Sequence, residues 1–347
     1  MVTIYDVAKK ANVSAMTVSR VINNTGRISE KTRQKVKKAM AELHYVPNSM
    51  ARSLVVQETK ILSLLITDIT NPFFTTVARG AEDAAKRYGY RLLFGNSDEN
   101  LDKESDYVDM VLSTRVDGVL FAPAGDRSAV HLEKLTKHNV PFVIIDREVP
   151  GAACDMIIGN SRHGARQLTE HLIALGHRRI ALINGSSEIS TARDREAGYV
   201  EALKLNGIEI DRSLIAQTGY KQFDATDVLH RWLSMPDRPT AVFAANNFLA
   251  LGVIHSLRGM GLSVPDDMSV VCFDDLGLAS TLDPFLTVAA QPAYQFGSMG
   301  IQLLIERIRG NAGPEPRKII LPAELVIRRS SAPPAQEPVR RRPIGEP

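Results

Sequence analysis

Polar side chains follow several short apolar runs of the chain. Asp146 and Arg147 come directly after PFVII, Asn246 follows AVFAA, Asp274 follows SVVCF and Gln291 follows TVAA. Carboxylate, guanidinium and amide groups together donate and accept hydrogen bonds, as a ligand with several hydroxyl groups requires. If the apolar runs are strands, their ends are where an open α/β sheet binds ligands. The pattern therefore predicts a binding site built from strand ends.

Further candidates for this site come from helix starts and from a loop. Arg195 lies in STARDREAGY, just before a helical pattern, and Asn71 opens the first helix after the first apolar run. Phe73 and Phe74 follow Asn71, and Phe223 lies in a loop-like stretch. Aromatic rings of this kind stack on the C–H faces of a ligand.

Each of these residues also suits a purely structural role. Asp and Asn at strand ends commonly cap the next helix. Arg195 has Asp194 and Glu196 beside it as surface partners, and Phe73 and Phe74 suit a hydrophobic core. The occurrence of the whole set, more than any single member, favours a binding site.

The apolar runs alternate with amphipathic stretches from residue 60 onward, such as Phe74–Tyr88 and His163–Leu175. This alternation is the βαβ signature of parallel sheets covered by helices. About 270 residues exceed one sheet, so two lobes are predicted. The predicted strands are Ile61–Thr67, Tyr90–Gly95, Gly118–Pro123, Pro141–Asp146, Met156–Gly159, Ile180–Gly185, Ala241–Ala245, Val270–Phe273, Thr287–Ala290 and Ile319–Leu321.

Motifs for nucleotide, metal or covalent chemistry are missing from the sequence. The segment GNSRHGAR has the glycine spacing of a phosphate-binding loop but carries Ala165 where lysine is required. His163, His171 and His177 are eight and six residues apart, which does not place two metal ligands on one helical turn. We interpret them as surface or capping residues, and we expect no cofactor, no metal and no enzymatic activity.

The distribution of charge separates the first 60 residues from the rest. They hold 11 Lys/Arg against four Asp/Glu, whereas the other 287 residues hold 31 against 35. A basic head of this kind favours a polyanion as partner, although a solvated basic face is the alternative. No apolar run is long enough to cross a bilayer, the N-terminus lacks a signal peptide's apolar segment, and Cys154 and Cys272 suit buried thiols. A cytoplasmic protein is predicted.

Three short helices are predicted in the basic head, capped by Thr3, Ser14 and Ser29. A tight turn between the first two is typical of a helix-turn-helix module, in which the second helix enters the DNA major groove. A plain three-helix bundle is the alternative.

The second helix presents a specific set of side chains away from its apolar face. Ala15, Met16, Ser19 and Arg20 remain outward when Val18, Val21 and Ile22 face the core. An arginine can donate two hydrogen bonds to guanine, and small apolar groups can touch a thymine methyl. Short polar side chains suit phosphate contacts, and here these are Ser14, Thr17 and Asn23.

The segments TIYDVAKKANVS, TVSRVIN, ISEKTRQKV and YVPNSMARSL resemble the head of the lactose repressor/galactose repressor (LacI/GalR) family over residues 3–54. The resemblance implies a DNA-binding regulator whose hinge helix forms on operator DNA. It implies that Leu54 wedges into the minor groove, and that a homodimer binds a near-palindromic double-stranded site. It adds these residues to the predicted DNA contacts: Thr3, Asn48, Ala51 and Arg52.

Residues 60–330 resemble the periplasmic-type sugar-binding fold. The resemblance implies three chain crossings between two lobes, near 160, 290 and 320, and a ligand in the cleft. It implies that the polar set binds the hydroxyls of an aldose and that the phenylalanines stack. The expected domains are a head over 1–46, a hinge over 47–59, two lobes and a disordered tail over 331–347. Lobe 1 is expected over about 60–160 and 291–319, and lobe 2 over about 161–290 and 320–330.

The expected fold class is thus α/β, with an all-α helix-turn-helix head and hinge helix followed by two doubly wound parallel-sheet lobes. The expected function is repression of carbohydrate-utilisation genes under allosteric control by a small sugar. A nucleobase, a nucleoside or a phosphorylated sugar remains an alternative effector. A sugar-binding module without a role on DNA is a further alternative, which the basic head disfavours.

Overall fold

The computed structural model describes residues 2–23, 25–46, 58–220, 224–277 and 279–335. The chain divides into two compact units, which meet in sequence at Thr59 and Lys60. Among the described residues, no helix has the length and apolarity needed to span a membrane.

The first unit contains three helices around a small apolar core. Thr3 caps α1 in a capping box, in which the Thr3 N–H donates to the Asp6 carboxylate at 2.8 Å. Asn12 ends α1 in the left-handed conformation, with φ of 53°. The helices are α1 (Ile4–Ala11), α2 (Ala15–Asn23) and α3 (Glu30–Glu42). Their buried side chains are Val7, Ala8, Ala11, Val18, Val21, Val36 and Ala39.

Lobe 1 of the second unit is a six-stranded parallel sheet with apolar clusters on both faces. The order of its strands is β11-β5-β4-β3-β1-β2. They are β1 (Ile61–Ile66), β2 (Arg91–Asn96), β3 (Gly118–Phe121), β4 (Phe142–Asp146), β5 (Asp155–Gly159) and β11 (Lys318–Leu321). The helices of this lobe are α4 (Pro72–Arg87), α5 (Leu101–Thr114), α6 (Ala129–Lys137) and α12 (Ala293–Ile308).

Lobe 2 repeats this arrangement with the strand order β12-β10-β9-β8-β6-β7, in which only the pairing of β12 with β10 is antiparallel. Its strands are β6 (Ile180–Asn184), β7 (Ile215–Gln217), β8 (Ala241–Ala244), β9 (Ser269–Phe273), β10 (Thr287–Ala290) and β12 (Glu324–Val326). Its helices are α7 (Ser161–Ala174), α8 (Ser190–Leu205), α9 (Thr226–Leu233), α10 (Asn247–Gly259) and α11 (Ala279–Leu282).

The predicted fold class is confirmed, and all ten predicted strands are present to within about two residues at either end. Two strands were missed. The segments Ile215–Gln217 and Glu324–Val326 contain three residues each and combine apolar with polar side chains. Neither forms the apolar run from which a buried strand is recognised.

The third passage between the lobes lies slightly later than expected. Lys318–Leu321 pairs in parallel with β5, so all of this strand belongs to the sheet of lobe 1. The chain therefore passes to lobe 2 at residues 322–323, two to three residues after the approximate position expected near 320. Residues 47–57 of the predicted hinge segment 47–59 lie outside the described residues.

The predicted disordered tail begins too early, because its first residues are fastened to lobe 2. The Ser331 hydroxyl lies 2.9 Å from His171 Nε2, and the Ala332 N–H donates to the Ser269 hydroxyl at 3.0 Å. His177 Nε2 lies 2.9 Å from the Ala332 carbonyl oxygen, and its side chain is buried. Of the two interpretations, surface or capping, the surface one is therefore wrong for this residue. Residues 336–347 lie outside the described part of the chain.

Asp155 ties together three separate segments of lobe 1. Its carboxylate accepts paired hydrogen bonds from Arg307, at 2.9 and 2.8 Å, and a further one from the Arg317 guanidinium at 2.9 Å. Burial alone would raise the pKa of Asp155, but the hydrogen bonds from Arg307 and Arg317 lower it to about 2. The ion pairs therefore fasten the end of α12 and the start of β11 to β5.

We predict that Asp155→Asn lowers the free energy of unfolding by about 3 kcal/mol, because two arginines lose their buried counter-charge. Urea unfolding measures the change. Asp109→Asn, at a largely exposed partner of Lys134, should change it by less than about 0.5 kcal/mol.

The same pair of variants gives a pH test of the ion pairs. A lowered pKa means that the stabilisation is complete above about pH 4 and is lost as the pH falls through about 2. Equal acid sensitivity in the wild type and in Asp155→Asn would contradict this assignment.

Candidate functional site

The outward face of α2 in the head unit is the candidate DNA-binding surface. Val18 and Val21 are buried, whereas the side chain of Met16 is 65% exposed and Arg20 is exposed. Ala15 and Ser19 are half-buried. The arrangement leaves a mixed apolar and cationic surface along one short helix.

Several of the predicted DNA contacts already serve as local hydrogen-bond partners. The Ser14 hydroxyl accepts from the Thr17 N–H at 3.1 Å, which caps α2, and the Asn23 amide donates to the Ser19 hydroxyl at 3.2 Å. The Thr3 hydroxyl donates to Asp6 at 2.7 Å. These bonds fix the side chains before any partner arrives. The other predicted contacts, Asn48, Ala51, Arg52 and Leu54, lie outside the described residues.

In the second unit, one cleft collects most of the predicted ligand residues at the carboxyl ends of the two sheets. Lobe 1 supplies five of them and lobe 2 supplies three. They are Asn71, Phe73, Phe74, Asp146, Arg147, Arg195, Asn246 and Asp274. Gln291 lies behind Asp274, where it lines an adjoining and more open cavity of about 370 Å³. Phe223 lies outside the described residues.

Asp146 and Asp274 occupy corresponding places in the two lobes. Asp146 ends β4 and Asp274 directly follows β9, which is the corresponding strand of the second sheet. Both residues adopt the left-handed conformation, with φ of 68° and 67°. Non-glycine residues adopt this conformation rarely, and such residues cluster at functional sites. The backbone thus has the same unusual turn at the carboxyl end of the corresponding strand in each sheet.

Arg147 is 3% exposed and is held by both backbone and side-chain acceptors. Its Nη1 donates to the carbonyl oxygens of Ala124, at 2.9 Å, and Pro123, at 3.3 Å, and its Nη2 donates to Glu99. The Asp146 carboxylate lies 3.6 Å from the Arg147 Nε. Burial alone would lower the pKa of Arg147, but Glu99 and Asp146 raise it. Arg147 therefore stays charged.

Arg195 lies inside α8, whose first turn begins five residues before it, and not ahead of the helix as predicted. Its guanidinium stacks on the Phe273 ring at 3.9 Å and donates to the Ala245 carbonyl oxygen at 2.5 Å. Its Nη2 lies 3.6 Å from the Asp274 carboxylate. The alternative of a surface pair with Asp194 or Glu196 is excluded, since the side chain is buried and faces Asp274.

The pKa values of the two cleft aspartates, Asp146 and Asp274, are raised above that of an exposed aspartate. Burial raises the pKa of Asp274 to about 6, although Arg195 and a hydrogen bond from Gln291 act in the opposite direction. Burial also raises the pKa of Asp146, against Arg147 and Arg195. Burial therefore disfavours the charged form of both carboxylates relative to an exposed aspartate.

Two asparagines of the cleft cap the helix that follows them, as the structural alternative predicted. The Asn71 side chain accepts from the Phe73 N–H at 3.0 Å, and the Asn246 side chain accepts from the Leu249 N–H at 2.8 Å. The Asn246 amide also donates to the Tyr220 carbonyl oxygen at 3.1 Å. Likewise, Phe73 and Phe74 belong to the core of lobe 1 while their edges line the cleft. In these residues the structural role and the cleft position coincide.

Sequence reasoning missed five residues that line the cleft, namely Thr67, Asp68, Glu99, Thr191 and Tyr220. Most of them follow a strand end, which is the same signal that selected Asp146 and Asp274. Tyr220 follows β7, a strand that was not predicted. Its ring centroid lies 5.8 Å from the guanidinium carbons of both Arg147 and Arg195, so one aromatic ring is close to both cations.

The cleft is nearly filled by its own side chains, because the free volume between them is about 30 Å³. Small-molecule sites usually offer roughly 300–1,000 Å³. Several buried polar atoms nevertheless have no hydrogen-bond partner among the described residues, including the Nε atoms of Arg147 and Arg195 and the Thr67 hydroxyl. Such atoms are rare in folded proteins and mark unused binding capacity.

Comparison with known proteins agrees with both parts of this architecture. Residues 3–48 match the model of bacterial regulatory proteins of the lacI family, and residues 169–331 match a periplasmic binding protein-like domain. The transcriptional regulator DegA of Bacillus subtilis is 38% identical over 95% of this chain and 98% of its own length. This chain belongs to the lacI family. It is a DNA-binding transcriptional regulator.

Other lacI-family proteins resemble the regulator over similar lengths. The transcriptional repressor PurR of Photobacterium profundum is 38% identical over 95% of this chain and 98% of its own. Among solved structures, the lac repressor dimer bound to operator and the anti-inducer ONPF has a TM-score of 0.82 and 30% identity, covering 95% and 99% of the two chains. A complex of the regulator CelR with cellobiose has a TM-score of 0.71 and 30% identity, covering 95% and 100%.

The two lobes of the regulator are also joined beside the cleft by an ion pair. Arg193 in α8 donates to both carboxylate oxygens of Asp126 in lobe 1, at 2.8 and 3.1 Å. The Asp126 N–H donates to the Glu188 carbonyl oxygen of lobe 2 at 3.0 Å. Planar, paired bonds from arginine to a carboxylate are geometrically specific. They hold the lobes at this separation.

We predict that Arg193→Ala shifts the lobes toward a more open arrangement, because a paired ion contact between them is lost. The contact should contribute at most about 1 kcal/mol to the closed arrangement, since both side chains are partly exposed. Small-angle X-ray scattering should show an increased radius of gyration. Arg212→Ala, which removes an ion pair with Glu196 inside lobe 2, should leave that radius unchanged; an equal increase in both variants would argue against the contact between lobes.

Proposed function

We propose that this regulator is a homodimeric repressor of carbohydrate-utilisation genes, and that a small sugar in the cleft controls its affinity for a near-palindromic operator. One observation carries the effector assignment. Buried donors and acceptors from both lobes converge on one cleft, and several of them are without hydrogen-bond partners among the described residues. A compound with many hydroxyl groups supplies the donors and acceptors that this set lacks.

The closed geometry supports control by lobe movement. A free volume of about 30 Å³ does not admit a sugar ring, so binding requires the lobes or the side chains to move. A ligand that prefers one lobe arrangement shifts the protein toward it. Coupling between effector and operator follows if the two lobe arrangements differ in affinity for DNA, and it is then reciprocal.

Similarity to known proteins supports the same proposal. Relatives over nearly the whole chain include a named repressor, and the similar solved structures include the lac repressor on operator DNA and a regulator complexed with cellobiose. In the head, we assign base reading to Arg20, Met16 and Ala15, and phosphate contacts to Ser14 and Thr17.

The test combines two titrations of the purified protein. Thermal unfolding against neutral pentoses, hexoses and disaccharides, with nucleobases for comparison, should identify a sugar that raises the unfolding midpoint. Fluorescence anisotropy on an operator selected from random duplexes should then show that this sugar changes operator affinity by about 5- to 150-fold. A bound sugar that leaves operator affinity unchanged would refute effector control. Binding of a nucleobase and of no sugar would refute the proposal that the effector is a sugar.

Arg20→Ala serves as the matched variant for these titrations. It should lose about 1–3 kcal/mol of operator binding, with a smaller loss on random DNA, because a base contact is removed. Its stabilisation by the sugar should equal that of the wild type, since the cleft is untouched.

We predict that sugar affinity falls as the pH is lowered through about 6. Ionised Asp274 accepts hydrogen bonds from hydroxyl groups, and its pKa is raised to about 6, so acid protonates it and removes acceptor capacity. Below that value the dissociation constant should rise by up to about tenfold per pH unit. Isothermal titration between pH 5 and 8 measures this, and an affinity that is constant over the range would show that Asp274 does not bind sugar in its ionised form.

A further inference from the structure

The cleft contains more negative than positive charge. Two guanidiniums, those of Arg147 and Arg195, face the carboxylates of Glu99, Asp146 and Asp274, and Asp68 adds another carboxylate to the lining. Each arginine is therefore already matched within the protein. A ligand that brings its own negative charge meets no unmatched cation among the described residues of the cleft.

Glu99 is placed in this cleft by an unusual backbone. It lies in the turn that follows β2 and has a φ of 53°, in the left-handed region that few non-glycine residues adopt. Its N–H donates to the Thr67 carbonyl oxygen at 3.2 Å, which anchors the turn to the end of β1. The turn thus directs a carboxylate onto Arg147, and the Glu99 side chain is only 15% exposed.

The remaining hydrogen-bonding capacity of Arg147 suits neutral acceptors. Its Nη1 is used by two backbone carbonyl groups and its Nη2 donates to Glu99, whereas its Nε has no hydrogen-bond partner among the described residues. Single N–H groups of this kind can donate to a hydroxyl oxygen. The paired grip that arginine makes on a phosphate or carboxylate uses two neighbouring N–H groups, either of Nη1 and Nη2 or of Nε and Nη2. Both pairs include Nη2, which already donates to Glu99.

We infer that Glu99 is a specificity-determining residue that makes the cleft select neutral polyhydroxyl ligands and reject sugar phosphates and sugar acids. Rejection arises because a buried anion here is close to several carboxylates and to arginines that are already paired, which is discrimination by repulsion. The inference rests on the proposed function, since it concerns the same cleft. Among the effectors that the sequence left open, the inference favours neutral sugars over phosphorylated ones.

Glu99 is the carboxylate whose removal tests this most directly. Asp146 and Asp274 are turned by strained backbone at the sheet ends, and Asp274 also accepts a hydrogen bond from Gln291 at 2.9 Å. The side chain of Glu99 accepts from Arg147. Glu99→Gln retains the shape of the side chain and removes one negative charge beside that arginine.

The experiment compares matched probes on the full-length protein. Thermal unfolding and isothermal titration are run with glucose, glucose 6-phosphate and glucuronate, with ribose and ribose 5-phosphate, and with inorganic phosphate. The variants are Glu99→Gln, Glu99→Asp, which retains the charge, and Glu133→Gln, which removes one charge from an exposed position of lobe 1. Circular dichroism establishes that each variant is folded.

In the wild type and in Glu133→Gln, no anionic probe should bind more tightly than its neutral counterpart, and inorganic phosphate should not stabilise the protein beyond an equal ionic strength of chloride. Glu99→Gln should bind at least one anionic probe about tenfold or more tightly than the wild type does, because Arg147 is released from its partner. Glu99→Asp should retain the rejection.

Two results would overturn the inference. One is a wild-type protein that binds a sugar phosphate or glucuronate more tightly than the matched neutral sugar, a result that does not depend on any variant. The other is a folded Glu99→Gln protein whose affinities for all anionic probes equal those of the wild type. Failure of the proposed function is separate, since it would appear as sugar binding without an effect on operator affinity while the discrimination by Glu99 remained.

Discussion

Charge buried between the two lobes is the constraint on which the rest of the cleft depends. Arg147 and Arg195 are both 3% exposed, and an uncompensated charge at such a place would cost several kcal/mol. Each therefore has a carboxylate from its own lobe and carbonyl oxygens from strand-end loops. The two sheets position those loops at the cleft. The pairing of the arginines with carboxylates then determines the charge that a ligand meets there.

The repeated architecture explains why the pairing has the same form on both sides. Two doubly wound sheets place their carboxyl ends at the cleft, and the corresponding strands lead into aspartates with φ of 68° and 67°. Each aspartate faces an arginine of its own lobe at 3.6 Å. The lobes differ in what completes the pair, because Glu99 adds a second carboxylate in lobe 1 whereas the Phe273 ring supports Arg195 in lobe 2.

In the part that the structure describes, the head unit contains only helices and has a much smaller core than the lobes. Its small core contains buried alanine and valine with larger, partly buried apolar side chains packed around them, and caps at Thr3 and Ser14 begin its first two helices. Helical periodicity determines which side of α2 faces outward, although Ala15 and Ser19 on that side are half-buried. This is why Met16 and Arg20 could be identified as exposed from their spacing, without knowledge of the tertiary structure.

The sequence by itself determined the class of fold, the ten apolar strands and the strand-end residues Asp146, Arg147, Asn246 and Asp274, because local periodicity and parallel topology bring such ends together. Only the tertiary structure decided their partners. Glu99 pairs with Arg147, the Tyr220 ring is close to both arginines, and Arg195 faces Asp274 from inside a helix. These facts depend on contacts between residues that are far apart in the sequence. Charge balance is a property of such contacts, so a sequence that shows two arginines cannot show that both are already neutralised.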